Sequence, residues 1–386
     1  MVIGNIDLKE RVAQEVKSRA AGISPCEDPL IHSSALTHRL FKMMVEKKAC
    51  NLHIRVSCPP VFRVDGELET EEDLSPLTAE EIEGMFLSIS TPAQRDIFTQ
   101  ELELNFIYSV PDLARFRINA QVQRGTIALT IRLVPYQILS IDDLGLPPIL
   151  KKLILKPRGL ILITGPTGCG KSTTVAAMIN HLNQNVKRNI VTIEDPIEFL
   201  HNNKKCIISQ REVGSDTRSL SIALKNGLRQ DPDVIVVGEM QDLETMSAAI
   251  TAAETGHLVI STLHTLDASQ TIDRIVDVFP PTQQEQIRFQ LSQVLEAALS
   301  QVLLRRIGGG GRVAACEVMI ANSAVRNLIR EGKTFQLPSV IQLGSKDGMQ
   351  TLNGTLADLV KKRVVTLEEA CMKTGNEDGL LKLVPV

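Results

Sequence analysis

Residues Gly165-Pro-Thr-Gly-Cys-Gly-Lys-Ser172 satisfy G-x-x-x-x-G-K-[S/T] without a mismatch, and no other stretch constrains the fold as strongly. The pattern carries meaning only between a strand and a helix. Leu160 to Thr164 is a short apolar, β-branched run expected as a buried strand, and Ser172 onward is expected as a helix. Gly165, Gly168 and Gly170 allow backbone N–H groups to turn inward around phosphate oxygens, where a Cβ would block the approach. Pro166, Thr167 and Cys169 complete the turn, and the helix that follows aims its positive dipole end at the same anion. Lys171 can reach the β- and γ-phosphates, and Ser172, with Thr173 beside it, is placed for Mg²⁺. The expected ligand is a nucleoside triphosphate.

At 386 residues the chain has room for two or three cores. A net charge of −3 and 3% aromatic residues without tryptophan argue against a nucleic-acid binder working through overall charge or base stacking. Seven scattered cysteines lack a C-x-x-C pair, which fits reduced thiols and argues against a four-cysteine zinc site. No apolar run approaches ~18 residues and no signal-like segment opens the chain, so a cytoplasmic location is expected.

Residues 1–35 read as a variable arm, with Val12 to Val16 as a short helix and breaks at Pro25 and Pro29. Residues 36–135 read as a small α+β domain. Ser34 to Lys48 has helical spacing, Leu52–Val56 and Val61–Val64 are short strands, and Asp65-Gly66 signals a hairpin. Thr78 with Glu81 forms a capping box for a helix to Ile89, and Pro92 to Gln100 is a third helix. Three strands of an antiparallel sheet follow, over 104–110, 114–122 and 126–134. Residues 136–146 are expected as a linker. In 147–375 the runs 160–164, 190–194, 234–237 and 258–262 alternate with helices, which calls for a parallel-containing α/β sheet. The part from about 281 to 375 is expected to be mostly helical. It includes a long helix carrying Ile287, Leu291, Val294, Leu295, Ala298 and Val302 on one face, and a last strand from Val313 to Ile320. Residues 376–386 form a tail.

Ligands of open parallel sheets sit beyond the carboxyl ends of the strands. The strand ending Thr192-Ile-Glu194-Asp195 would place Glu194 there, and Asp233-Val-Ile-Val-Val-Gly-Glu239 would place Glu239. Glu239 is assigned to Mg²⁺ and water and Glu194 to the base, with the reverse assignment open. His257 and His264 bracket the next strand, and a histidine at a strand end can sense a γ-phosphate. Positive charge over that phosphate could come from Arg115, Arg117, Arg124 or Arg132 of the first domain, or from Arg274.

Taken together, these stretches resemble the secretion-superfamily ATPases, and specifically type IV pilus retraction ATPases of the PilT/PilU kind. The resemblance spans roughly residues 36–375. It rests on GPTGCGKSTT, TIEDPIE (192–198), DPDVIVVGEM (231–240), TAAETGHLVISTLHT (251–265) and IDRIVDVFP (272–280). Ala324-Val325-Arg326-Asn327-Leu328-Ile329-Arg330-Glu331 is similar to a motif of retraction motors. The resemblance implies a PAS-like domain before a RecA-like ATPase domain, with ATP and Mg²⁺ as cofactors. It implies catalytic roles for Glu194, Glu239 and His264, and phosphate contacts from His257, Arg117, Arg132 and Arg274, with His264 favoured over His257 for the γ-phosphate. It also implies a homohexamer at the cytoplasmic face of the inner membrane, acting on a platform protein and sometimes beside a second retraction ATPase, with no nucleic-acid partner. An accessory ring with weak ATPase activity and the ATPase of a secretion apparatus are the alternative members of the same superfamily. The chain departs from the family pattern at Cys169 (usually Ser), at Gln241 (usually Arg) and at Asn51 (usually Asp).

Overall fold

The computed structural model describes residues 29–384 apart from 65, 112 and 135–137, so Val12–Val16 lies outside the described residues. The chain divides into two compact units, Met1–Tyr136 and Gln137–Val386.

The first unit begins with helix α1 (Pro29–Glu46), which starts five residues earlier than the apolar spacing suggested. Pro29 opens the helix instead of breaking it, because a first-turn residue has no intrahelical partner for the N–H that proline lacks. Strands β1 (Asn51–Ile54), β2 (Val61–Val64) and β3 (Glu67–Thr70) follow, then α2 (Ala79–Ile89) and α3 (Pro92–Glu101). The capping box foreseen at Thr78 forms, with Glu81 N–H donating to Thr78 Oγ1 at 3.2 Å and Thr78 N–H to Glu81 Oε2 at 2.8 Å. Strands β4 (Glu103–Val110), β5 (Ala114–Gln123) and β6 (Thr126–Val134) complete an antiparallel sheet of order β3-β2-β1-β6-β5-β4. Along β5 the inner residues Ala114, Phe116, Ile118 and Ala120 are buried and alternate with Arg115, Arg117 and Asn119 on the outer face. The helices cover the inner face, where the rings of Phe41 and Phe116 stack with centroids 4.1 Å apart.

In the second unit Ile141 and Leu146 are buried in the core, so the stretch read as a linker is part of this unit from there on. A short helix α4 (Ile149–Leu153) leads into β7 (Gly159–Thr164), α5 (Lys171–Asn185) and β8 (Asn189–Glu194). Next come β9 (Ile207–Glu212), α6 (Leu220–Gly227), β10 (Val234–Val237), α7 (Leu243–Glu254), β11 (Leu258–Leu263) and α8 (Ala268–Asp277). The sheet has the order β13-β12-β7-β11-β10-β8-β9, and its pairs are parallel except for the β12–β13 hairpin. Both faces are covered, so Val191, Ile193, Ile235 and Val237 enter one core while Ile190, Val234 and Val236 enter the other.

The long helix expected through Val302 is corrected by the structure. Helix α9 (Pro281–Val294) stops at Val294, and the chain continues as strand β12 (Leu295–Arg305), paired with β7 and with β13 (Arg312–Ile320). Leu and Ala at 295–304 have good helix propensity, but a place beside the apolar β7 buries both faces of the segment. The remainder is helical: α10 (Ser323–Arg330), α11 (Leu337–Leu343), α12 (Leu352–Lys361), α13 (Leu367–Cys371) and α14 (Glu377–Leu381). Strand β9 was not foreseen either, because Ile207–Glu212 is mostly polar and lies at the sheet edge.

Candidate active site

The phosphate loop leaves β7 at Thr164 and ends at Gly170, which has φ +90° at the N-terminus of α5. Gly165 adopts φ +139°, and a Cβ there would overlap the Gln301 carbonyl oxygen and come within 2.7 Å of Cys169 Sγ. Only glycine fits that corner. Cys169 is 4% exposed, and burial pushes its thiol up against the opposing pull of the Lys171 ammonium, so the sulfur is shielded inside the loop. Lys171 Nζ donates to the carbonyls of Gly165 (2.7 Å) and Pro166 (3.2 Å) and is held over the loop. Ser172 and Thr173 are half-buried in the first helical turn, while Thr167 and Gly168 are exposed. A turn of glycines, a helix N-terminus and a lysine at its mouth together fit a polyphosphate.

Sheet order then decides which side chains stand beside the loop. β11 is the neighbour of β7, and β10 is the next strand along. His264, at the carboxyl end of β11, is therefore interposed between the loop and Glu239, which follows β10. Its Nδ1 lies 3.4 Å from Lys171 Nζ and 3.5 Å from Thr167 Oγ1, and its Nε2 lies 3.1 Å from Glu239 Oε1. One neutral tautomer satisfies both ends: Nδ1 accepts from the ammonium, and Nε2–H donates to the carboxylate. Gly238 brings Glu239 into place. Its N–H donates to Ile193 O at 2.8 Å, its carbonyl accepts from Thr262 Oγ1 at 2.6 Å, and a Cβ there would sit 3.3 Å from the Glu194 Cα.

Glu194 ends β8, one strand beyond β10 and three inter-strand steps, about 14 Å, from β7. Oε1 accepts from Thr192 Oγ1 at 2.6 Å and from Gln210 Nε2 at 3.2 Å. The His201 N–H donates to Gln210 Oε1 at 2.8 Å, so the amide has to present its NH₂ to the carboxylate. Burial pushes the Glu194 carboxyl above its ordinary range, against the hydrogen bonds from Thr192 and Gln210. Thr192 and Gln210 were not singled out from sequence, and β9, which supplies Gln210, carries too weak a pattern to have found it.

His257 is placed elsewhere. It precedes β11, its carbonyl accepts from the N–H of Gly159 at the start of β7, and its Nδ1 lies 2.9 Å from Ala252 O. The six residues of β7 then separate it from the loop by about 20 Å. The structure brings His264, not His257, to the phosphate loop of the same chain. Arg274 is exposed in the last turn of α8. In the first unit Arg117 on β5 is the direct register partner of Arg132 on β6, and Asn51 on β1 lies between Arg132 and Arg63. Arg117 and Arg132 stand side by side on the outer face, where adjacent like charges favour an anion, while Arg63 beyond Asn51 donates to the Gly66 carbonyl at 2.6 Å.

The segment Ala324–Glu331 begins one residue inside α10, capped by Asn322, whose side chain accepts from Val325 N–H at 3.1 Å. Val325 and Ile329 are buried and Leu328 packs beside them, while Ala324, Asn327, Arg330 and Glu331 face solvent. Arg326 turns back to the end of α9, donating to the carbonyls of Ser292 (2.6 Å) and Gln293 (2.7 Å) and pairing with Glu296 at 3.2 Å. Glu296 also holds Lys156, close to the start of β7.

Residues 33–372 match the family described as type II/IV secretion system protein. The chain is 47% identical to the type IV pilus retraction ATPase PilT of Pseudomonas aeruginosa over 86% of its own length and 96% of that protein. It is 38% identical to the type IV pilus ATPase PilU of the same organism, over 90% of each chain. The crystal structure of the pilus retraction motor PilT with bound ADP superposes with a TM-score of 0.83 at 45% identity, covering 89% of this chain and 98% of that one. No helix among the described residues is long and apolar enough to cross a membrane. The chain belongs to the type II/IV secretion system protein family and, within it, is an ATPase of the pilus-retraction branch.

Proposed function

We propose that this chain is the subunit of a homohexameric, cytoplasmic motor that hydrolyses ATP to power type IV pilus retraction and twitching motility. The ring would act at the inner membrane through a platform protein, with a second retraction ATPase as a further partner and no nucleic acid. The observation that carries this reading is the chain Lys171–His264–Glu239, which links the phosphate loop to an acid two strands away. Lys171 and the loop N–H groups bind the β- and γ-phosphates, and His264 ties the lysine to the carboxylate. Glu239 orients the attacking water, and Glu194, with its raised proton affinity, accepts the proton directly or through water. Ser172 and Glu239 would hold Mg²⁺, which supplies neutralisation of charge on the phosphoryl oxygens. Arg117, Arg132 and Arg274 are assigned to phosphates, the first two because their row collects positive charge that an anion would relieve. Identity of 47% over 86% of the chain to a retraction ATPase supports this reading over export, since the type II secretion system protein HxcR of Pseudomonas aeruginosa is 33% identical over 60% of it.

Steady-state ATP hydrolysis of the purified protein beside Lys171→Ala, with particle mass from light scattering, tests the proposal. A hexamer-sized particle whose hydrolysis is lost in the variant is expected. A monomer, or turnover that survives the loss of Lys171, would overturn it.

A further inference from the structure

The side chain of Gln301 is 2% exposed and belongs to β12, a strand outside every motif that marks the site. We propose that Gln301 is a positioning residue that holds the phosphate loop in its binding shape and thereby sets nucleotide affinity. This rests on the ATP-site reading above.

The amide bridges two points on either side of Lys171 and Ser172. Nε2 donates to the Cys169 carbonyl at 2.5 Å, and Oε1 accepts from Thr174 Oγ1 at 2.8 Å. A carbonyl can only accept, so the orientation of the amide is determined by its partners. The pinned carbonyl belongs to the Cys169–Gly170 peptide. That unit is planar and trans, so fixing its C=O toward β12 turns the Gly170 N–H the opposite way. A loop that grips phosphate with peptide N–H groups depends on such orientations.

The backbone of the same residue reaches the other end of the loop, where the Gln301 carbonyl leaves no room for a Cβ on Gly165. A Cβ on Gly170 would likewise sit 3.1 Å from Gln301 Nε2. One residue of β12 therefore touches the loop at entry and exit. The preceding pair, Ser300 and Thr164, joins the two strands by a 2.8 Å hydroxyl contact outside the loop itself. Thr174 and the Cys169 carbonyl are buried, so neither can turn to water if the amide is removed.

The test is titration of the full chain with the fluorescent nucleotide mant-ADP, together with steady-state ATP kinetics and melting curves. Gln301→Met, similar in length but unable to bridge, is expected to raise Kd and KM about tenfold, with a smaller fall in kcat. Thr174→Val should do the same and Thr174→Ser should restore binding, while the double variant Gln301→Met/Thr174→Val binds no worse than the weaker single one. Ser300→Ala should lower Tm and leave Kd unmoved. Should Gln301→Met fail to fold, the contrast between Thr174→Val and Thr174→Ser decides. A folded Gln301→Met that binds as tightly as wild type, or independent additive losses in the double variant, would overturn the role of Gln301 alone. A wild type that does not bind mant-ADP would overturn the ATP-site reading and this role with it.

Discussion

His264 and Glu239 lie 3.1 Å apart on neighbouring strand ends, and the far side of the same imidazole faces Lys171 at 3.4 Å. Lysine and glutamate would be separated by a whole strand without that ring. The histidine thus joins the phosphate loop and the acid that follows β10 in one hydrogen-bonded unit. Glu239→Gln keeps the size and an acceptor for His264 but removes the charge. Hydrolysis is expected to fall by about 10²-fold or more, with mant-ADP affinity little changed. Equal losses in kcat and in affinity would instead place Glu239 in ground-state binding.

Gly165→Ala tests the corner of the loop. The added methyl group meets the Gln301 carbonyl oxygen and the Cys169 sulfur, at a φ of +139° that an L side chain rarely adopts. Nucleotide binding should drop below detection in titration, while the far-ultraviolet dichroism of the folded chain stays close to wild type. Retained affinity would show that the loop can move away from β12.

Glu317 on β13 gives the fold a pH dependence. Burial, reinforced by Asp267, pushes its carboxyl up to about 7 from 4.5, although the Ala268 N–H donates to it at 2.8 Å. An acid with a raised native pKa binds its proton more tightly folded than unfolded. Its effect on stability therefore worsens as pH rises from 4.5 to about 7 and is level above that. The full effect is roughly 3 kcal/mol at most. Glu317→Gln keeps an acceptor for Ala268, so it should raise Tm at pH 8 and leave it nearly unchanged at pH 4.5 in melting experiments. A variant with the same Tm difference at both values would remove Glu317 as the source.

Arg326 acts as a tether between helices. Its side chain is 25% exposed and satisfies two terminal carbonyls of α9 as well as Glu296. Arg326→Ala would leave those carbonyls without a donor and Glu296 with Lys156 alone. The expected loss is about 2 kcal/mol, a fall in Tm of about 4–8 °C, read by calorimetry. An unchanged Tm would make the tether dispensable and point to a purely functional reason for arginine in this segment.

The phosphate loop could be read directly from the chain, because its conformation is set by consecutive residues: three glycines, a lysine and the strand and helix on either side. Glu194, Glu239 and His264 were legible for a related reason, since each ends an apolar run or stands within two residues of its end, and parallel strands present their carboxyl ends together. Tertiary structure supplied the physical reason for the preference of His264 over His257. His257 and His264 flank the same strand, and its parallel pairing with β7 places them at opposite ends of the strands, with His264 at the carboxyl ends beside the loop. It also decided that residues 295–305 are a strand, against their helical apolar spacing, because pairing with β7 lies outside any local window. Gln301 was invisible for that reason: its partners Cys169 and Thr174 are more than 120 residues away in sequence. Short-range turn and strand preferences are written in neighbouring residues, whereas hydrogen bonds between distant strands exist only once the sheet has assembled.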